Sequence, residues 1–256
     1  MEILQFGHLV VVFFAGLIGE GYATVIGSGG VLIQFVLAAL GLPLAMVVAT
    51  DIGGSQGANL GIITASSRGI WNNKKVLLLL AAPVFIGGIV GTIFLIYIPL
   101  YVLKIVLIVG LTVLLVYMLI GRKAELQAFE QLHISGRQYP FIFLIMFVLG
   151  VYGNVSGVGS GTFQKFAFLS MLRISFIESL GIDSIIALPA GIFSIIVTGM
   201  AGLIVWPYFF AILIGAFIGG HFVARHIRKV PEKYLRALLI TLILLYLAYL
   251  ISGIVP

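Results

Sequence analysis

The 256-residue chain contains no cysteine and few charges of either sign. The first absence excludes disulfides, thiolate chemistry and cysteine-rich metal sites. The second excludes an ordinary soluble domain: Asp, Glu, Lys and Arg make up 9% of the residues, against about a quarter in soluble domains. The four histidines are scattered, with His221 and His226 five apart, and they form no metal-ligand spacing. There is no P-loop and no Ser/His/Asp order, so neither a cofactor, a metal nor an enzyme activity is expected. What is abundant is apolar surface. Hydrophobic residues are 62% of the chain and the mean hydropathy is +1.26. A chain of this size cannot hide that surface from water, so an integral membrane protein is expected. Its apolar stretches are helix-length and not ten-residue alternating segments, which excludes an outer-membrane barrel.

Apolar runs bounded by polar residues or proline predict six spans, near 43–66, 76–97, 99–120, 175–200, 207–225 and 233–254. The regions 7–42 and 140–173 are also apolar, but glycine and serine interrupt each near its middle. They read as helical hairpins or re-entrant pairs. Met1, Glu2 and His8 precede the first run without a basic segment, so a cleavable signal peptide is not expected. The net charge of +6 resides in loops. Arg68, Lys74 and Lys75 share one; Arg122, Lys123 and Arg137 flank the centre; Arg173 follows the second hairpin; Arg225, Arg228, Lys229, Lys233 and Arg236 crowd another. If each hairpin returns to its own side, all these loops lie on one face, which the positive-inside rule makes cytoplasmic. Both termini then lie outside. The charge is a topology signal, and no nucleic-acid partner is expected.

The chain resembles itself at an offset of about 132 residues. Gly27-Ser28-Gly29 matches Gly159-Ser160-Gly161, Asp51 matches Asp183, and Ile98-Pro99 matches Val230-Pro231. The cluster Gly87, Gly88, Gly91 has a near-equivalent in Gly215, Gly219, Gly220. The expected fold is an all-α polytopic membrane protein of two inverted-topology repeats, each a broken or re-entrant helical hairpin plus three transmembrane helices. The first repeat covers 1–121, a cytoplasmic linker 122–139, and the second, inverted repeat 140–256. Three crossings is an odd number, so the second copy enters the membrane upside down. Inverted repeats with interrupted helices are an architecture of secondary transporters.

Backbone broken at membrane depth must satisfy its polar groups internally or line a wet cavity. Ser28, Ser160 and Thr162 are suited to cap a second half-helix at each break. Two such N-termini would face one another and hold a small anion between them. Two packing seams without a ligand are the bland alternative. The candidate substrate contacts are Ser28, Gly29, Gly30, Gln34, Asn154, Ser156, Ser160, Gly161, Thr162, Gln164 and Lys165.

These breaks carry a resemblance. Phe14-Ala15-Gly16-Leu17-Ile18-Gly19, then Gly27-Ser28-Gly29-Gly30 and Gly41-Leu42-Pro43, is similar to the glycine-rich signature of the sulfite exporter TauE/SafE family. The segment from Gly150 to Gly161 resembles its repeat. The resemblance implies an inner-membrane permease, usually an exporter, for sulfite, organosulfonates or other small sulfur-containing anions. The chain departs from the family pattern in its Gly-Ser-Gly-Gly run, and in Asp51 and Asp183, where small hydroxyl residues are usual.

A charge at membrane depth costs about 2.5–3.5 kcal/mol on insertion scales, and such residues tend to be functional. Asp51 and Asp183 sit at equivalent places in the two copies, and Glu20 lies at the edge of the first break. The three are candidate proton-coupling groups, since a protonated aspartate does not repel an anion. The alternative is a structural carboxyl satisfied by Thr50, Gln56, Ser184 or a backbone N–H. For Glu20 the preferred reading is a solvated loop carboxylate, with a proton relay or a vestibule lining as the alternative. Lys165 is a candidate to hold the anion, to counter Asp183 or Glu20, or to snorkel to the surface. Gln56 and Asn59 read as helix glue, and Glu178 as an interfacial partner of Arg173. The expected partners are a small anionic solute and the lipid bilayer, with the chain a monomer or homodimer. The rivals to a coupled oxyanion carrier are a passive anion channel and a carrier of a different small solute that uses the buried aspartates.

Overall fold

The structure is a computed structural model that describes residues 2–65, 74–120, 138–171, 176–227 and 232–252. Among these the elements are all helical: α1 Glu2–Ile26, α2 Gly30–Ala39, α3 Leu44–Gly54, α4 Gln56–Ala65, α5 Lys74–Tyr97, α6 Leu100–Ile120, α7 Tyr139–Ser156, α8 Ser160–Met171, α9 Phe176–Met200, α10 Trp206–His226 and α11 Glu232–Ser252. Seven of them, α1, α5, α6, α7, α9, α10 and α11, are long and apolar enough to cross a membrane. The chain is therefore a multi-pass helical membrane protein. Large apolar side chains such as Phe94, Leu119, Phe141 and Phe222 face outward, which only a lipid solvent tolerates on this scale. Tyr97, Tyr101 and Trp206 are exposed at helix ends, where membrane–water interfaces favour amphipathic rings.

The two interrupted regions are helical pairs with unequal arms. The first arm, α1, has 25 residues and spans about 37 Å; the return arm α2 has 10 residues. The second pair has arms of 18 and 12 residues. Each leading arm is long and apolar enough to cross by itself, and its helix continues through Glu20 in α1 and Asn154 in α7, which the sequence alone places in the breaks. The region 43–66, expected as one span, is kinked: α3 ends and α4 begins at Ser55, whose φ of −63° and ψ of −15° stay close to helical. The basic loop residues Arg68, Arg122, Lys123, Arg137, Arg173, Arg228 and Lys229 lie outside the described residues, as does most of the central linker. The side chains of Lys74, Lys75, Glu178 and Lys233 are likewise not described.

Glycine sets how closely the long helices approach. Side chains at Gly215 and Gly219 of α10 would run into the carbonyls of Phe13 and Leu17 on α1. Side chains at Gly87 and Gly91 of α5 would meet those of Phe147 and Val151 on α7. In lipid such van der Waals contact replaces the hydrophobic effect as the packing force. The leading arm of each pair is thus sealed against a helix from the other half of the chain. A buried cluster including Val31, Ile33, Leu107, Leu111, Leu239 and Tyr246 joins α2, α6 and α11.

Candidate functional site

The two Gly-Ser-Gly segments meet directly. Gly27 has φ +96° and Gly159 φ +75°, values that suit a residue without Cβ. A Cβ on Gly27 would lie 2.5 Å from the Thr162 N, and one on Gly161 would lie 2.7 Å from the Gly27 O. Ser28 Oγ and Thr162 Oγ1 are 2.6 Å apart, and Thr162 Oγ1 donates to Ile26 O at 2.8 Å. Since Thr162 spends its hydrogen on that carbonyl, Ser28 donates to Thr162. Ser28 therefore does not cap α2, contrary to expectation: the residue ahead of the helix is Gly29, and no side chain caps it. The hydroxyl serves the join between the two breaks instead.

With the turns in contact, the open space lies beside them. A cavity of about 140 Å³ is lined from both halves of the chain. Of the expected contacts, Gly29, Gly30, Asn154, Ser160, Gly161, Gln164 and Lys165 line it, as do Glu20, Asp51 and Asp183. Ser28, Gln34, Ser156 and Thr162 are not among its lining. The last two and Ser28 are held in backbone or cross-break bonds, and Gln34 stands behind the wall.

Gln34 is fully committed. Its Nε2 donates to Asp51 Oδ2 at 2.7 Å and to Ser156 O at 2.7 Å. Its Oε1 accepts from Tyr246 OH at 3.2 Å. The amide orientation follows from these partners, and Asp51 Oδ2 is an acceptor. Ser55 Oγ lies 2.7 Å from Glu20 Oε1 and 3.0 Å from Asp51 Oδ1. A hydroxyl has one hydrogen to give. Serving both carboxyls as hydrogen bonds requires that one of them donates to Ser55. The residues expected to satisfy the aspartates do other work. Thr50 Oγ1 accepts from Val205 N, Ser184 donates to Leu180 O, and Gln56 bonds Ile52 O and Asn59.

Lys165 does not snorkel. It is 7% exposed, and its Nζ donates to Ala23 O and Thr24 O at 3.0 and 3.1 Å. A cation at the C-terminal carbonyls of α1 meets the negative end of the helix dipole. Glu20 is buried, which removes the reading of a solvated loop carboxylate. Ser55 was not foreseen, although it lies four residues after Asp51 and so on the same helix face. Tyr246 carried no local signal, because it reaches the network from 212 positions away.

A polytopic helical membrane protein with a polar cavity walled by broken helices defines the class: a membrane transporter. The chain belongs to the sulfite exporter TauE/SafE family, whose model matches residues 9–250. It is similar to the "Probable membrane transporter protein YfcA" of Escherichia coli (strain K12), with 22% identity over 237 residues, covering 91% of this chain and 85% of that protein. It is also similar to the "Probable membrane transporter protein ORF9" of Sinorhizobium sp, with 24% identity over 246 residues, covering 94% and 91%. No solved structure matches the chain.

Proposed function

We propose that this chain is a secondary transporter, working as an exporter, for a small sulfur-containing oxyanion such as sulfite or an organosulfonate. The solute binds beside the joined glycine–serine breaks, and access alternates between the two sides. The observation that carries this reading is a cavity lined jointly by Gly29, Gly30 and Asp51 of one half and Ser160, Gln164 and Lys165 of the other. Such a site at the seam of two halves is what rocking of one half against the other exposes in turn. The crosswise packing of α1 on α10 and of α7 on α5 supports two inverted repeats. The family supports the oxyanion.

In this reading Glu20 and Asp51 hold one proton between them across Ser55, and its release couples transport to the proton gradient. The other ionisable groups at the cavity are Lys165 on α8 and Asp183 on α9. Tyr246 on α11 touches the network through Gln34. The retained proton keeps the two carboxyls from repelling the solute. The protein sits in the inner membrane with the linker cytoplasmic and both termini outside. Because the chain has no cysteine, single introduced cysteines report sidedness by reaction with an impermeant thiol reagent.

The test is thermal stabilisation of the purified protein by sulfite, thiosulfate, sulfate, sulfoacetate, simple carboxylates and chloride, in acidic and neutral buffer. Binding to the folded state at a hundred times Kd adds about 2.7 kcal/mol. The reading expects a sulfur oxyanion to stabilise, and Asp51→Asn to remove the pH dependence. Stabilisation by a cation or a neutral solute alone sinks it.

A further inference from the structure

The second half of the cavity wall leaves acceptors without donors. Asn154 is 8% exposed, and its Nδ2 donates to Gly150 O at 3.1 Å. Its Oδ1 is buried with no hydrogen-bond partner among the described residues, and the same holds for Asp183 Oδ1. Both residues line the cavity. Turning the Asn154 amide over offers no relief, because Oδ1 would then face the Gly150 carbonyl. A buried acceptor left unpaired costs about 1–3 kcal/mol, so native proteins keep few. Two acceptors in one wall call for a donor that enters from the cavity.

Charge points the same way. The lining holds three carboxyls, Glu20, Asp51 and Asp183, against one cation, Lys165. A solute that brings its own positive donor places it against Asn154 and Asp183, in a lining with more acidic than basic side chains.

We infer that the transported solute is a small zwitterion, an oxyanion joined by a short linker to a protonated amine. Asn154 Oδ1 and Asp183 Oδ1 receive the amine. Ser160 and Gly161 in the first turn of α8, with Gln164 and Lys165 one turn on, receive the oxyanion. This inference rests on the transporter reading above and narrows its substrate class.

The experiment compares aminoethanesulfonate with ethanesulfonate, a pair differing only in the amine, and adds sulfite. Thermal stabilisation gives affinity and counterflow in proteoliposomes gives transport. The expected result is affinity about tenfold or more higher for the amine-bearing probe, a difference readily resolved. Asn154→Leu removes that preference while ethanesulfonate still binds. Asn154→Asp, which keeps an acceptor there, retains it. Equal or tighter binding of ethanesulfonate or sulfite overturns the zwitterion and leaves the oxyanion transporter standing. A preference untouched by Asn154→Leu overturns the amine site. If none of the three probes binds, the zwitterion falls, and the oxyanion reading falls with it unless another sulfur oxyanion stabilises the protein. If Asn154→Leu does not fold, the wild-type comparison and Asn154→Asp decide.

Discussion

The two walls of the cavity are built from matching stretches of sequence and end in opposite states. In the first half, Asp51 accepts from Gln34 and contacts Ser55, Ser55 bonds Glu20, and Gln34 is held by Ser156 O and Tyr246. In the second half, the matching Asp183 has a buried oxygen without a donor among the described residues, and Asn154 has another. The difference lies in a few residues. At the offset of 132, Ser55 corresponds to Ala187, Gln34 to Phe166 and Glu20 to Tyr152. One half therefore closes its polar groups into a network, and the other leaves two buried acceptors without donors among the described residues. Segments that resemble one another in sequence build different walls where a hydroxyl and an amide stand opposite apolar groups at the corresponding positions.

The largest effect is expected where the halves join. Gly27→Ala puts a Cβ against Thr162 N at φ +96°, adding backbone strain of about 1–3 kcal/mol to overpacking of about 1–3 kcal/mol. A sharp fall in thermal stability in detergent is expected, and near-wild-type unfolding would mean that the breaks are not rigidly joined.

Next comes the cation that ties α8 to α1. Lys165→Met leaves the Ala23 and Thr24 carbonyls without its bonds, with a destabilisation of about 1–3 kcal/mol for the buried acceptors. Anion stabilisation should drop in the same protein, whereas Lys165→Arg should recover part of it. A stable variant with full anion response would assign Lys165 to structure alone.

Ser55→Ala tests the closed wall and Ala187→Ser the open one. Removing the Ser55 hydroxyl should cost about 1 kcal/mol, the usual net value of a hydrogen bond, and should change the pH dependence of solute binding more than its magnitude. Ala187→Ser offers a hydroxyl to the second wall, four residues after Asp183 on the same helix face. It should weaken the preference for an amine. If both variants behave like wild type in acidic and neutral buffer, the asymmetry between the walls has no role in transport.

The smallest effect serves as the control. Thr112 is on an exposed face of α6 and its hydroxyl bonds Ile108 O of its own helix. Thr112→Val should change stability by less than about 0.5 kcal/mol and leave solute binding unchanged. A larger change would reveal a partner on that lipid-facing surface.

Much of this fold was legible because lipid enforces simple rules. A long apolar run must become a helix, since its backbone has no water to bond, and the seven long helices follow the apolar stretches. Glycine marked both breaks but too broadly, over Gly19–Gly30 and Gly150–Thr162, whereas α1 runs on to Ile26 and α7 to Ser156 before the chain turns. The ionisable residues that line the cavity were equally visible, as charges where charges are costly. The partners of those charges were not. The sequence suggested Thr50, Gln56 and Ser184 for the aspartates, all close in the chain, and the structure uses Gln34 and Ser55 for Asp51. Gln34 in turn depends on Ser156 and Tyr246, respectively 122 and 212 positions distant.

The sequence by itself determined the solvent, the helices and the positions where helices must stop, because hydropathy and backbone satisfaction are local properties. Only the tertiary structure decided that the breaks touch, that Ser28 bonds Thr162 and not its own helix, and that the cavity lies beside the join. A hydrogen bond depends on where its partner arrives, and in this chain the deciding partners arrive from the opposite half.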